Sequence, residues 1–196
     1  MIDLTAITGS AGKPKMLDYS SVVKPALGGV AQKLNRLGTR FGFDFESIPY
    51  ETEGAGRRLI ALLQQAKLQG AMIIYPQLDF NVGAPGTTLA NGAHSAGTTL
   101  NIKGATPYYT VRVGQALNVV KAGRRYLYFA ASQDTLNGTG QGTITLTTPM
   151  RTVLAGDEVI DFKKPRIEGF IEGDEWEWAI EAERLTPIKF YIEERA

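Results

Sequence analysis

Apolar and polar residues alternate through RFGFDFES, residues 40–47, placing Phe41, Phe43 and Phe45 on one face and Arg40, Gly42, Asp44 and Glu46 on the other. That period of two predicts a half-buried strand with an aromatic inner face. Pro49 ends it. The pattern then lengthens: in TEGAGRRLIALLQQAKLQG, Leu59, Ile60, Leu62, Leu63 and Ala66 recur at helical spacing, Thr52 is placed to cap the start and Gly70 to close the end. This is the main helical pattern in the chain. AMIIYP follows as a short apolar strand returning beside the helix.

Beyond residue 80 the pattern breaks up. Residues 81–115 are rich in Gly, Thr, Ala and Asn, and short strand patterns recur at about 98–103, 117–121, 124–132 and 142–148, as in a small β-barrel or sandwich. In QGTITLTTP, Thr143, Thr145 and Thr147 face one way and Ile144 and Leu146 the other, and Asn137-Gly138 before it is a hairpin signal. After Pro165, two late strands, IEGFIEGDEWEWAIEAE and IKFYIEER, are expected to meet at a turn around Thr186-Pro187 and to complete the sheet begun by residues 19–48. The expected fold is mainly β with one main α-helix, in the α+β class. Residues 1–80 and 166–196 form one unit, and 81–165 an insertion.

Composition narrows the chemistry. With 43% hydrophobic and 21% charged residues the chain belongs among folded globular proteins. No apolar run of about 18 residues predicts a membrane span, and MIDLTAITGS lacks the basic and apolar regions of a secretory leader. The protein is therefore expected to stay in the compartment where it is made. The absence of cysteine excludes disulfides, thiolate metal sites and a cysteine nucleophile, and a single histidine, His94, excludes chemistry that needs two. His94 lies in a loop of small and polar residues. A solvated loop histidine is the plain reading, and a Ser95-His94 couple the alternative, which needs an orienting acid.

Charge is +1 overall but unevenly spread. Residues 1–156 carry 15 Lys/Arg and 8 Asp/Glu, a balance of +7, and residues 157–196 carry 6 and 12, a balance of −6. Either the fold joins its two ends and neutralises itself, or the acidic face of one subunit meets the basic face of the next.

Three stretches resemble functional motifs. GRRYLYF, 123–129, sets arginines beside aromatics as nucleic-acid binders do. As a strand, however, it sends Tyr126 and Tyr128 to one face and Leu127 and Phe129 to the other, to join Ile144 and Leu146 in a core, and the frame of an RNA-recognition module is missing. GTGQG, 138–142, is like part of a phosphate loop but joins two strands and has no following lysine. EGDEWEW offers Asp174, Glu175 and Glu177 with Trp176 and Trp178, the ingredients of a glycosidase. Alternation there favours an edge strand with an acidic outer face.

Taken together, LNRLGTRFGFDFESIPY, RRLIALLQQAKLQG, GTTLNIKGATPYYTVRVGQALNV, GRRYLYFAASQDTLNGTGQGTITLTTPMR, PRIEGFIEGDEWEW and the terminal FYIEE, in that order, resemble the distal tail proteins and related minor tail proteins of long-tailed bacteriophages. The resemblance spans nearly the whole chain and rests on the order and spacing of weak motifs. It implies a β-sandwich-plus-helix ring domain of the tail-tube type with an inserted small β-barrel. It further implies a non-enzymatic, homo-oligomeric ring, a hexamer, in the virion tail tip, assembled in the bacterial cytoplasm. Its partners would be the tail-tube protein, the baseplate hub and the tape-measure protein, with DNA only in transit through the channel and no membrane contact. No carbohydrate-binding domain of the kind some members carry follows Ala196, which assigns adsorption to other tail proteins. No catalytic, cofactor or metal residue is expected. Arg36, Arg40, Arg57 and Arg58, opposed to Glu172, Asp174, Glu175 and Glu177, are the candidate subunit interface. A carbohydrate-binding module using Tyr108, Tyr109, Trp176 or Trp178, and a nucleic-acid-binding barrel using Lys121, Arg124 and Arg125, are the alternatives.

Overall fold

The computed structural model describes residues 1–173 and 185–195. Over these residues it is mainly β with one α-helix. The chain begins with β1 (Ile2–Asp3), the nine-residue β2 (Gly9–Leu17), and the short β3 (Ser21–Val23) and β4 (Gln32–Leu34). The aromatic strand β5 (Arg40–Ser47) follows, then β6 (Tyr50–Glu51), a wide π-type turn over Thr52–Gly56, α1 (Arg57–Gln69) and β7 (Ala71–Ile74). Next come β8 (Gly86–Ala90), β9 (Thr99–Ala105), β10 (Thr110–Val111), β11 (Ala116–Lys121), β12 (Arg124–Phe129), β13 (Asp134–Thr135), β14 (Gly142–Thr145) and β15 (Val159–Asp161). The chain closes with β16 (Arg166–Ile171), β17 (Leu185–Thr186) and β18 (Lys189–Glu194).

Two six-stranded sheets result. The first has the order β1-β7-β16-β18-β5-β2 and the second β12-β11-β15-β8-β9-β14. In the first, Phe43 and Phe45 of β5 lie opposite Ile192 and Phe190 of β18, while Glu46 opposite Lys189 forms an ion pair at 3.0 Å on the outer face. Alternation in β5 thus separates core from solvent as its pattern predicts: Phe41, Phe43 and Phe45 are all buried. Leu59, Leu63 and Ala66 of α1 join the same core with Ile73 and Ile167. Each large apolar side chain so buried is worth roughly 1.5–3 kcal/mol.

The helix ends where expected, at Gly70, whose φ of 82° is open to glycine and whose N–H reaches the carbonyl of Ala66 at 2.7 Å. Its start differs. Glu53 and Gly54 have non-helical backbone angles, so the helix begins at Arg57 with Gly56 at its cap, and Thr52 opens the preceding turn instead.

Other expectations are corrected by pairing. Residues 21–34 do not enter the main sheet but form the separate β3–β4 hairpin, because their apolar side chains point at no core. The sheet takes β2 instead, which is exposed along almost its whole length and so shows no alternation. Residues 185–186 are not a turn: they form β17 against β6. Asn137-Gly138 lies in a long connection between segments that pair antiparallel at Ala130 and Leu146, while β13 itself pairs with β10 and β14 with β9.

One strand of the second sheet, β12, packs into both cores. Tyr128 of β12 is fully buried with Ile144 and Leu146 in the second core, whereas Leu127 and Phe129 enter the first. The faces of GRRYLYF separate as predicted but their destinations are exchanged: it is the tyrosine face that meets Ile144 and Leu146. Phe129 stacks edge-on against Phe41 at 4.8 Å and Tyr75 at 5.2 Å, between ring centroids. Packing between sheets thus runs through a strand whose two faces are both apolar.

Candidate functional site

Two surfaces have properties that folding alone does not explain. The first is the arm formed by β3, β4 and their connection. Val22, Val23, Leu34 and Leu37 are about half exposed, and Leu27 and Val30 almost wholly so, at 101% and 86%. A lone two-stranded hairpin is marginal in water, and clustered apolar exposure marks an interaction surface or an aggregation hazard.

The base of the arm is anchored. The Asp18 carboxylate accepts hydrogen bonds from the Ser20 N–H (2.8 Å) and hydroxyl (2.7 Å), from Lys33 Nζ (3.3 Å) and from the Thr39 hydroxyl (3.3 Å). The two Ser20 donors, with Lys33 adding to them, hold the Asp18 carboxyl down to about 2. Arg40 stacks on Tyr19 at 4.7 Å and pairs with Glu193.

The arm emerges beside β2, whose only strand partner among the described residues is β5. The outer edge of β2 therefore presents unpaired backbone groups, which natural edges blunt with proline, lysine and bulges. β2 has all three: Pro14, Lys13 with Lys15, and a register shift between Gly9 and Ala11. Unselective pairing is discouraged and a fitted partner is still admitted.

The second surface is a cavity of about 630 Å³ lined by Lys121, Ala122, Arg124, Tyr126, Phe170 and Arg195. Residues from β11, β12, β16 and the end of the chain converge there. Lys121 pairs with Glu158 at 2.5 Å and Arg195 with Glu168 at 2.8 Å, while the Arg124 guanidinium lies over the Tyr126 ring at 4.5 Å. Lys121 and Arg124 are evident in the sequence. Phe170 and Arg195 are not, because they come from far along the chain with no local signal.

The residues expected at a subunit interface are scattered in role. Arg36 is exposed just past the arm, and Arg57 and Arg58 are exposed in the first turn of α1, where cations oppose the helix dipole. Arg40 is already committed to Glu193 within the chain. Glu172 is exposed, and Asp174, Glu175 and Glu177, like Trp176 and Trp178, lie outside the described residues. The charge asymmetry is met internally in part: Arg40–Glu193, Lys103–Asp157, Lys121–Glu158, Arg125–Glu168 and Arg151–Glu194 each join a cation of the first part to an acid of the last.

The motif-like stretches are occupied by structure. In the 137–142 loop, Asn137 Oδ1 accepts from the N–H groups of Thr139 (3.0 Å) and Gln141 (2.9 Å), so donors that a phosphate would use are already spent. His94 exchanges backbone hydrogen bonds with Leu154 at 3.0 and 2.8 Å. Its Nε2 is buried without an acceptor, and among the described residues no hydrogen bond joins its side chain to the exposed Ser95. Tyr109 and Tyr108 differ sharply: Tyr109 is held by Val82 and Gln115, and Tyr108 is exposed at a positive φ of 58°.

Among the described residues no cluster of three or more His, Asp or Glu could hold a metal, and no helix is long and apolar enough to cross a membrane. Compared with known proteins, the chain matches no family model and no curated sequence.

Proposed function

We propose that this chain is a structural subunit of a bacteriophage tail tip that assembles into a ring, joins the tail tube to the baseplate hub and leaves a channel for the genome. The observation that carries this reading is the apolar arm beside the β2 edge: Leu27, Val30 and their neighbours have no cover among the described residues of their own chain. A ring supplies one. Each subunit would offer its arm and β2 edge to a different surface of the next, a heterologous contact that closes by rotation. The first sheet suits this, since its two ends are unlike: a nine-residue antiparallel strand at one and the two-residue parallel β1 at the other.

In the same reading the first sheet with α1 is the ring domain of the tail-tube type, and the second sheet is an inserted small barrel. The barrel is supported by contact between the outermost strands of that sheet. The chain just past β12 and β14 pairs at Ala130 and Leu146, with Ala131 N–H to Thr145 at 2.7 Å and Thr147 N–H to Phe129 at 2.9 Å. A hexamer, contacts to tube, hub and tape-measure proteins, and location in the virion belong to the proposal as a whole. Native mass measurement with negative-stain imaging of the purified protein tests it: closed rings of defined copy number are expected, and a protein that stays monomeric at high concentration refutes it.

A further inference from the structure

We propose that the basic cavity between β12 and the end of β18 is a docking site for an acidic, tryptophan-bearing peptide stretch, residues 174–183 of a second copy of this chain. Charge and an aromatic wall carry it. Four cations, Lys121, Arg124, Arg125 and Arg195, gather at or beside the cavity with two carboxylates, Glu158 and Glu168. Both carboxylates are fully used. Glu158 takes Lys121 Nζ and the N–H groups of Ala155 and Gly156, each at 2.8 Å. Glu168 takes Arg195, the Arg125 N–H at 3.1 Å and the Arg125 guanidinium at 3.8 Å. The nearby Glu193 and Glu194 belong to Arg40 and Arg151. Among the described residues, two positive charges are left over.

Arg124 is the centre of that excess. Among the described residues it has no carboxylate partner: one Nη donates to the Arg195 carbonyl and its face covers Tyr126. The Nε atoms of Arg124 and Arg195 are both buried without an acceptor. The Nε atoms of Arg151 and Arg166 are buried in the same way outside the cavity, so it is the cation excess centred on Arg124 that points to an anionic partner. Phe170, 47% exposed, and Tyr126 give the same cavity an aromatic wall. The fitting ligand therefore carries carboxylates next to an aromatic or aliphatic side chain. A single-stranded nucleic acid would call for cations set along a groove over several nucleotides, whereas here they meet at one spot.

Residues 174–183, DEWEWAIEAE, have that chemistry: five carboxylates, two tryptophans and no basic residue. Supply by a second copy rests on the assembly reading above. The experiment therefore measures docking separately from ring formation. A labelled synthetic peptide of residues 172–184 is titrated into the full chain at low and at moderate salt, beside a peptide with its acids changed to amides and an oligo-dT strand. Binding of the native peptide is expected, weakening with salt. Arg124→Gln or Phe170→Ser should weaken it by about tenfold or more, and the amide peptide should fail to bind, a result that does not depend on how the protein variants fold. No binding, equal binding by the amide peptide, or tighter binding of oligo-dT at the same residues overturns the assignment. Rings that ignore the peptide remove this inference alone, and peptide binding by a protein that never forms rings removes the ring alone.

Discussion

Arg151 and Glu194 face each other in a two-pronged ion pair, Nη1 to Oε2 at 2.8 Å and Nη2 to Oε1 at 2.7 Å, at the seam between the two sheets. Both are nearly excluded from solvent. Arg151 also donates to the Leu127 carbonyl at 2.9 Å, and Glu194 accepts from the Leu127 N–H at 2.8 Å, so the pair holds both backbone groups of one residue of β12, the strand that packs into both cores. Burial alone would lower the Arg151 pKa, but the Glu194 carboxylate outweighs it and pushes it up. Removing one partner strands the other. Glu194→Ala should destabilise the fold by about 3–5 kcal/mol in urea unfolding, while Arg151→Met combined with Glu194→Gln, which keeps an acceptor for Leu127, should recover much of that loss.

Gly169 of β16 lies where β18 crosses closest. A Cβ there would meet the backbone carbonyl of Glu193, which cannot move without breaking the β16–β18 ladder. Gly169→Ala should cost about 1–3 kcal/mol and lower the thermal midpoint, whereas Gly83→Ala, with open space around it but a positive φ of 69°, should cost only the smaller backbone strain.

Acid stability should carry the mark of Glu158. Burial opposes its charge, but Lys121 and the N–H groups of Ala155 and Gly156 outweigh that and lower its pKa from 4.5 to about 2. The unfolded chain thus binds the proton more readily, so this stabilisation is present above pH 4.5 and is lost as pH falls toward 2. Glu158→Gln should flatten that part of the stability–pH curve, measured by denaturant midpoints across the range.

Much of this fold is legible where one face is buried and the other wet. Phe41, Phe43 and Phe45, and Ile144 and Leu146 against the three threonines, declare themselves because solvent and core alternate along one strand. The alternation fails to show which core a strand serves. β12 is apolar on both faces, and only long-range pairing reveals that Leu127 and Tyr128 enter different clusters. β2 is invisible for the opposite reason, being wet on both faces. The arm hides too, since Val22, Leu27 and Val30 look like core residues until no core is found beside them. The basic cavity joins Arg124 to Arg195, 71 positions apart, a distance no local motif spans.

The assembly surface makes the sharpest demand on experiment. Sedimentation velocity of the wild-type chain beside Leu27→Asp/Val30→Asp, two changes in side chains that are almost wholly exposed and make no core contact, tests it most directly. The account predicts a discrete multi-subunit species for the wild type and a folded monomer with an unchanged thermal midpoint for the variant. A wild type that sediments as a monomer, or a variant that assembles as well as its parent, would contradict it.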